Sequence, residues 1–362
     1  MAQVVWRHGE RVPLLNYSFT SNNNPYTNIS LGSLTPNGIL QQEYLGKALR
    51  ERYINNLKLV DKNYKSNEVQ FRSTKKNRTI ESAYANLRGF YDIINSSNIP
   101  VLTDFFGIKD DWSRGISCPR YIKLLEKKMN DYDNIFYKNN KKFIDILIKK
   151  TNSSHMTMEN VSNLYDTIYV EKHLNILKPN FINEDEFKQL EDLSMEIYKF
   201  KDGQDAFNMS GDFNLTKLSS GPLFKNILYN FENKKCNCSD NIFRITSTNS
   251  TSLNKLSYIG YSAHDYTIAG LLVLIGIDDF RRNEMFQLDF TSSIIFELYL
   301  TSENKYEIKV LFSTNQLNQL SDITSKVKGC KGLRFCSYDK FKNALIDRIP
   351  KNVYEECYDK KY

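Results

Sequence analysis

The sequence predicts an α/β fold in which short strands, mainly parallel, feed directly into helices. Three junctions carry that expectation. The apolar run Val4-Val5-Trp6 ends in Arg7-His8-Gly9-Glu10-Arg11-Val12-Pro13. The alternating stretch Glu68-Val69-Gln70-Phe71 ends in Arg72-Ser73-Thr74, and a helical period follows. Leu256 to Ser262 reads as a strand that runs into Ala263-His264-Asp265, again just ahead of a helix. Between the second and third junctions, residues 118 to 205 are charged, helical in period and poor in strand signals, so a helical region interrupts the strand-bearing chain.

In chain order, residues 14–34 read as a loop, rich in Ser, Thr and Asn around Asn22-Asn23-Asn24-Pro25. A helix should start with Thr35 as N-cap and Pro36 in its first turn, where a missing N–H costs nothing. Leu40, Tyr44, Leu45, Ala48, Leu49 and Tyr53 form its expected inner face; Gln41, Gln42, Lys47, Arg50 and Glu51 form the outer one. After Thr74 a second helix places Ile80, Ala83, Tyr84, Leu87 and Phe90 inward. Pro100 and Gly107 mark a change of composition, and Trp112 and Cys118-Pro119-Arg120 lead into helices near 119–149, 158–177 and 184–202. His155 and His173 fall here and read as structural or solvated. Gly203 to Gly221 reads as a polar connection, Pro222 as the start of a helix to Phe231, and 233–254 as an exposed loop. Past the third junction come a helix near 266–275, a hairpin of strands at 292–300 and 305–312, and a Cys-bearing tail.

With 362 residues, 41% hydrophobic and 13% aromatic, the chain can build a sizeable core and is expected to form two sub-domains. The net charge of +7 is spread along the sequence. It suits a negatively charged small-molecule substrate, and no nucleic-acid-binding motif accompanies it. The longest apolar run, Ile268 to Ile277, is far short of the ~18 residues a transmembrane helix needs. Six cysteines without zinc-like spacing lean towards disulfides and an oxidising compartment. N-glycosylation sequons at Asn16, Asn28, Asn77, Asn95, Asn152, Asn160, Asn208, Asn214, Asn237 and Asn249 point the same way. No signal peptide is visible in the six residues before Arg7; an incomplete N-terminus reconciles this with the cysteines and sequons.

If the three strands share one sheet, their C-terminal ends gather Arg7, Arg11, Arg72, His8, His264 and Asp265. Guanidinium groups offer fixed forks of donors to a dianion. An imidazole can act as nucleophile, and a carboxylic acid can protonate a leaving group. That set suits phosphoryl transfer, which needs positioning, charge neutralisation and a nucleophile. Neither a Walker loop nor a carboxylate cluster for magnesium is present, so no metal or other cofactor is called for. A G-x-S-x-G nucleophile elbow is likewise missing.

These residues resemble a known family. Arg7-His8-Gly9-Glu10-Arg11-Val12-Pro13 is similar to the R-H-G-x-R-x-P motif of the histidine phosphatase superfamily, in its acid phosphatase and phytase branch. Arg72-Ser73-Thr74 with Arg78-Thr79 resembles the R-S-T-x-x-x-R-T segment of prostatic and lysosomal type acid phosphatases. Leu34-Thr35-Pro36-Asn37-Gly38 resembles their L-T-x-x-G helix start, and Tyr261-Ser262-Ala263-His264-Asp265 their Y-S-A-H-D. The resemblance runs from residue 4 to about 357. It implies a three-layer α/β/α sandwich from residues 1–106 and 233–362, with an α-helical cap inserted at 107–232. It also implies His8 as the nucleophile that forms a phosphohistidine, and Arg7, Arg11 and Arg72 as phosphate ligands. His264 would bind the phosphoryl group, Asp265 would protonate the leaving alcohol, and Gly9 would let the chain turn beneath the phosphate.

The implied activity is hydrolysis of phosphate monoesters, in an extracellular or lysosomal setting, by a protein whose close relatives often form homodimers. Phytase-like action on inositol phosphates is the alternative within the family; a non-catalytic secreted binding protein is the alternative outside it. The family framework further implies Cys118–Cys357 and Cys330–Cys336 bridges, leaving Cys236 and Cys238 unassigned. The sequence departs from the family at Glu10, where Asp is more usual, and at Lys75, where close relatives often carry Asp. The second change bears on pH dependence and substrate choice.

Overall fold

A computed structural model describes residues 1–17, 24–103, 118–236, 256–277 and 288–358. Gly107, Trp112, Cys238, Asn237, Asn249 and most of the 233–254 loop lie outside the described residues. The chain divides into two compact units. The first comprises Met1–Glu10, Pro36–Arg120 and Thr216–Tyr362; the second comprises Arg11–Thr35 and Tyr121–Leu215.

The first unit holds one mixed sheet. Its strands are β1 (Ala2–Arg7), β2 (Val69–Ser73), β3 (Val101–Leu102), β4 (Tyr258–Ala263), β5 (Ser293–Leu300), β6 (Tyr306–Ser313), β7 (Leu320–Asp322) and β8 (Cys336–Ser337). They lie in the order β3-β2-β4-β1-β5-β6-β7, with β8 paired to β6. The β3-β2-β4-β1 half is parallel, and the half from β5 onward is antiparallel. The late strand β4 is seated between β1 and β2. The carboxyl ends of such parallel strands are where open α/β sheets bind ligands.

The sheet is covered on both faces, which gives the expected three layers. Val4, Trp6, Phe71 and Tyr258 face α1 (Pro36–Arg50) and α2 (Asn77–Tyr91), with Leu45, Leu49, Leu87 and Phe90 in the same core. Val5, Ile259, Tyr261 and Ala263 face the other way, into a core that includes Phe224, Ile227, Leu271, Leu272 and Phe341. Those residues come from α6 (Phe213–Cys236), α7 (Asp265–Leu274) and α8 (Tyr338–Leu345). Alternate residues of a strand point to opposite faces. A strand covered on both sides is therefore apolar at successive positions, which explains the unbroken Val4-Val5-Trp6 run.

Two expectations about helices need correction. The inner face of α1 is rotated from the apolar stripe: Leu40 and Tyr44 are 48% and 59% exposed, while Gln42 is fully buried. The reason is its neighbours. Gln42 Nε2 donates to the Arg7 carbonyl at 2.9 Å, and Gly46 meets α2 so closely that a Cβ would lie 2.1 Å from the Asn86 carbonyl oxygen. The second correction concerns α6, which begins well before Pro222 and contains it. An interior proline costs a helix about 3 kcal/mol. Burial of Leu223, Phe224, Ile227 and Phe231 against the sheet offsets that cost. The same burial places α6 from Thr216 onward with the first unit.

The second unit is helical: α3 (Pro119–Thr151, which begins in the first unit), α4 (Met158–His173) and α5 (Glu184–Lys201). Phe136, Ile144, Met158, Val161, Leu164, Ile168, Leu190 and Phe200 form its core. Capping boxes start α4 at Thr157/Asn160 and α5 at Asn183/Glu186. His155 and His173 are exposed.

Disulfides join Cys118 to Cys357 and Cys330 to Cys336, as the family framework implies; Cys236 ends α6. The helix α9 (Val353–Tyr358) carries Cys357. On β5, the buried Glu297 receives Arg52 Nε at 2.7 Å and Nη2 at 2.8 Å, and the hydroxyls of Tyr53 and Tyr299 at 2.7 and 2.6 Å. Among the described residues no helix is long and apolar enough to cross a membrane.

Candidate active site

Sheet register sets out the site. Arg7 on β1 pairs with Ala263 on β4, and the next peptide continues the ladder: His8 N–H donates to the Ala263 carbonyl at 3.0 Å. His8 and His264 thus leave adjacent strands side by side, with ring centroids 5.6 Å apart and planes at 76°. On the far side of β4, Ser73 pairs with Ser262, and Thr74 N–H donates to the Ser262 carbonyl at 3.3 Å. Arg72 is the register partner of Tyr261, so it projects on the same sheet face as Arg7, with β4 between them. Burial pushes the Tyr261 phenol up, and the Arg72 charge partly counters it.

Each side chain is held from behind. Arg7 is nearly buried and lies over the Phe290 ring, 4.4 Å from its centroid. Its Nη1 donates to the Leu288 carbonyl at 2.6 Å, and its Nη2 pairs with Asp265 Oδ2 at 3.1 Å. The other oxygen of Asp265 accepts from Tyr266 N–H at 2.7 Å, at the N-terminus of α7. His8 is 2% exposed, and its Nδ1 lies 2.8 Å from the Gly9 carbonyl oxygen. A carbonyl only accepts, so Nδ1 carries the proton and the lone pair sits on Nε2. That is the tautomer a nitrogen nucleophile needs.

Gly9 lies at a close approach of two backbone segments. It packs against Gly38 in the first turn of α1: a Cβ on Gly9 would lie 2.1 Å from Gly38 O, and one on Gly38 would lie 2.0 Å from Glu10 O. Neither glycine has a positive φ, so closeness and not handedness excludes a side chain here. The interlocked pair packs the R-H-G segment against the L-T-x-x-G segment. Gly9 N–H then donates to Ser82 Oγ at 3.1 Å, fixing the loop to α2.

Of the six expected residues, Arg7, His8, Arg72, His264 and Asp265 lie in the first unit. Arg11 lies in the second, where its Nη2 makes a bidentate pair with Asp166 at 2.7 and 2.9 Å. The residue reading singled out neither Asp166 nor the supports Gln42, Ser82 and Phe290, since nothing in their local sequence marks them. Thr74, Arg78 and Thr79 were visible only as motif letters. Thr74 and Arg78 flank His264, with Thr74 Oγ1 at 3.0 Å from Nε2 and Arg78 Nη2 at 3.5 Å from Nδ1, and Thr79 Oγ1 lies 2.6 Å from Thr74 Oγ1. Tyr266 stacks on the same ring at 4.7 Å. Lys75 is exposed.

Two guanidinium groups, a carboxyl group and two imidazoles at strand ends are a set of side chains suited to binding a phosphoryl dianion. The model of the histidine phosphatase superfamily (branch 2) matches residues 1–313. The chain belongs to that superfamily. Among histidine phosphatases it is 29% identical over 378 residues to "Putative acid phosphatase 10" of Caenorhabditis elegans, covering 94% of this chain and 89% of that one. It is 28% identical over 368 residues to the lysosomal acid phosphatase of Homo sapiens, covering 98% and 79%. The fold is similar to the phytase of Citrobacter braakii, with a TM-score of 0.64 at 16% identity over 98% of both chains. It is also similar to the Hafnia alvei phytase in complex with myo-inositol hexakis sulphate, with a TM-score of 0.66 at 13% identity over 97% and 96%. Within a histidine phosphatase, the two imidazoles, Arg7, Arg72 and Asp265 form the candidate active site, and the strand register just described holds them there.

Proposed function

We propose that this chain, a phosphomonoesterase of the histidine acid phosphatase type, works through a covalent phosphohistidine on His8. The observation that carries the reading is the Nδ1–H bond to Gly9 O, which leaves the Nε2 lone pair of a buried imidazole beside Arg7 and His264. Arg7 and Arg72 neutralise the phosphoryl oxygens from one sheet face, and Arg11 is assigned the same task from its place in the motif. His264 binds a phosphoryl oxygen through Nδ1 when that nitrogen carries a proton. In the first step Nε2 forms a bond to phosphorus, the ester P–O bond breaks, and Asp265 gives its proton to the departing oxygen. In the second step Asp265, now a carboxylate, takes a proton from water as that water attacks phosphorus, and the P–N bond breaks. Free phosphate and neutral His8 are the products.

The ion pair between Arg7 and Asp265 gives this sequence an order. A bound dianion competes for Arg7 and adds negative charge beside Asp265. Both effects favour the protonated carboxyl that the first step requires. The substrate thus helps to load its own acid.

Acid phosphatase is favoured over phytase because the acid phosphatase relatives are similar in sequence at 28–29%, whereas the phytase likeness is one of fold. An extracellular or lysosomal location fits the two disulfides and the lysosomal relatives. The reading is tested by assaying a panel of phosphate esters, inositol hexakisphosphate included, with wild type and His8→Ala at pH ~5, near the range of a carboxyl acid. Simple monoesters should be turned over by wild type and not by the variant. Equal rates in the two proteins would refute the reading, and preference for the hexakisphosphate would make the enzyme a phytase.

A further inference from the structure

Behind His264 lies a chain of two hydroxyls on fully buried threonines. Thr74 Oγ1 is 3.0 Å from His264 Nε2 and 2.6 Å from Thr79 Oγ1. Thr79 Oγ1 in turn lies 2.8 Å from the Lys76 carbonyl and 3.2 Å from the Thr74 carbonyl. Carbonyls only accept, so the single hydroxyl proton of Thr79 goes to one of them, the nearer being Lys76. Thr79 then accepts from Thr74, and Thr74, its proton spent, accepts from His264. At the opposite nitrogen, Arg78 Nη2 faces Nδ1 at 3.5 Å, and a guanidinium has no acceptor. Both ends of the ring give the same answer: Nε2 carries the proton and Nδ1 presents its lone pair. Ser262 Oγ anchors the assembly by donating to the Thr79 carbonyl at 2.7 Å, which ties the first turn of α2 to β4.

We propose that Thr74 and Thr79 are positioning residues that lock His264 in its Nε2–H tautomer. Only Nδ1 can then gain or lose a proton, and it does so on the side of the ring that faces Arg78. The two histidines of the site are held in opposite tautomers. His8 is protonated at Nδ1 with its lone pair on Nε2, and His264 is protonated at Nε2 with its lone pair on Nδ1. The tautomer follows from geometry alone. Its effect on turnover rests on the reading of His264 as a phosphoryl-binding group. The proposal also gives Thr79 a reason to be threonine that is independent of the Asn77-Arg78-Thr79 sequon it completes.

The chain has four histidines, which makes ring nitrogens resolvable by NMR of protein labelled with ¹⁵N-histidine. Spectra are recorded above pH ~8, where imidazoles are largely neutral, and His264→Asn provides the assignment. Wild type should show a protonated Nε2 on His264. Thr74→Val and Thr79→Val keep the shape but remove the hydroxyl. They should mix or reverse the tautomer and lower kcat about tenfold with KM little changed, equivalent to about 1.4 kcal/mol of activation free energy. Thr79→Ser should restore both tautomer and kcat, and Asn77→Gln should change neither, which separates the relay from any glycan. A wild-type His264 protonated at Nδ1 would overturn the proposal without any variant needing to fold. Retention of Nε2–H in folded Thr79→Val would also overturn it. A shifted tautomer with unchanged kcat would uphold the relay and remove the role assigned to His264.

Discussion

Asp265→Asn separates what Asp265 does for stability from what it does for catalysis. The substitution keeps the side-chain size and an oxygen to accept from Tyr266 N–H, now bonded at 2.7 Å. It removes the ion pair with Arg7 at 3.1 Å and the proton that the carboxyl can donate. The Asp265 side chain is 39% exposed, so solvent screens the pair, and its loss should cost about 0–1 kcal/mol of stability. General acid catalysis is commonly worth about 10²–10⁴ in rate, or ~3–5 kcal/mol of barrier. The second effect exceeds the first several-fold, so the variant should stay folded and lose activity selectively. An alkyl phosphate, whose alkoxide leaves poorly, should lose the full factor. A p-nitrophenyl phosphate, whose phenolate leaves unaided, should lose little. The assay is kcat/KM across a series of esters of graded leaving-group acidity, with thermal unfolding measured alongside. A steeper dependence on the leaving group in Asp265→Asn supports the assignment. Parallel lines for the two proteins, or a collapse in melting temperature that accounts for the loss, would refute it.

Burial raises the proton affinity of Glu297, but Arg52 and the two tyrosine hydroxyls outweigh it and leave the group below the usual carboxylate range. A folded carboxyl held lower than its unfolded counterpart stabilises fully above the unfolded value of ~4.3, and that contribution disappears as pH falls through the folded value. Glu297→Gln should therefore lose about 2–4 kcal/mol in urea titrations at neutral pH, with the gap to wild type closing in strong acid; a gap independent of pH would count against this account. Gly38→Ala brings a methyl within 2.0 Å of Glu10 O, so backbone must move. Loss of at least about 1–3 kcal/mol is expected, together with reduced activity from displacement of the loop after His8. Unchanged stability and rate would show that the interlocked glycines are dispensable. Removing the Cys118–Cys357 bridge, which spans 239 residues of sequence, should cost up to about 5 kcal/mol if loop entropy dominates. Denaturation of the double serine variant measures it, and a loss under about 1 kcal/mol would set the entropic view aside.

The layers of this fold were legible because strand ends in the sequence carry charged residues and are followed by regular helical periods. β1, α2, α4, α5, β5 and β6 sit close to where hydrophobic periodicity places them. Failures occur where tertiary contacts override the local pattern. Gln42 reads as an outward residue, yet its amide is needed at the Arg7 carbonyl and is buried there. Pro222 reads as a helix start, yet the apolar burial of α6 extends the helix on both sides of it. The site divides the same way. Residues that must contact a phosphoryl group are rare in type and stand out. Those that hold them, such as Ser82, Phe290, Asp166 and the two threonines behind His264, are ordinary residues, made important by strand register and helix packing that only three dimensions reveal.

The central claim, a covalent intermediate on His8, has a direct measurement. The enzyme is mixed with a phosphate ester at acid pH and quenched in base, under which a phosphohistidine survives. The peptide that contains Arg7-His8-Gly9 is then analysed by mass spectrometry and ³¹P NMR. The account predicts a phosphoryl group on His8 bonded at Nε2, present during turnover, absent before substrate is added, and accumulating in Asp265→Asn with a good leaving group if that variant slows the second step more than the first. Phosphate released at the full rate with no label on His8 at any time in the reaction, or a label at Nδ1, would contradict it.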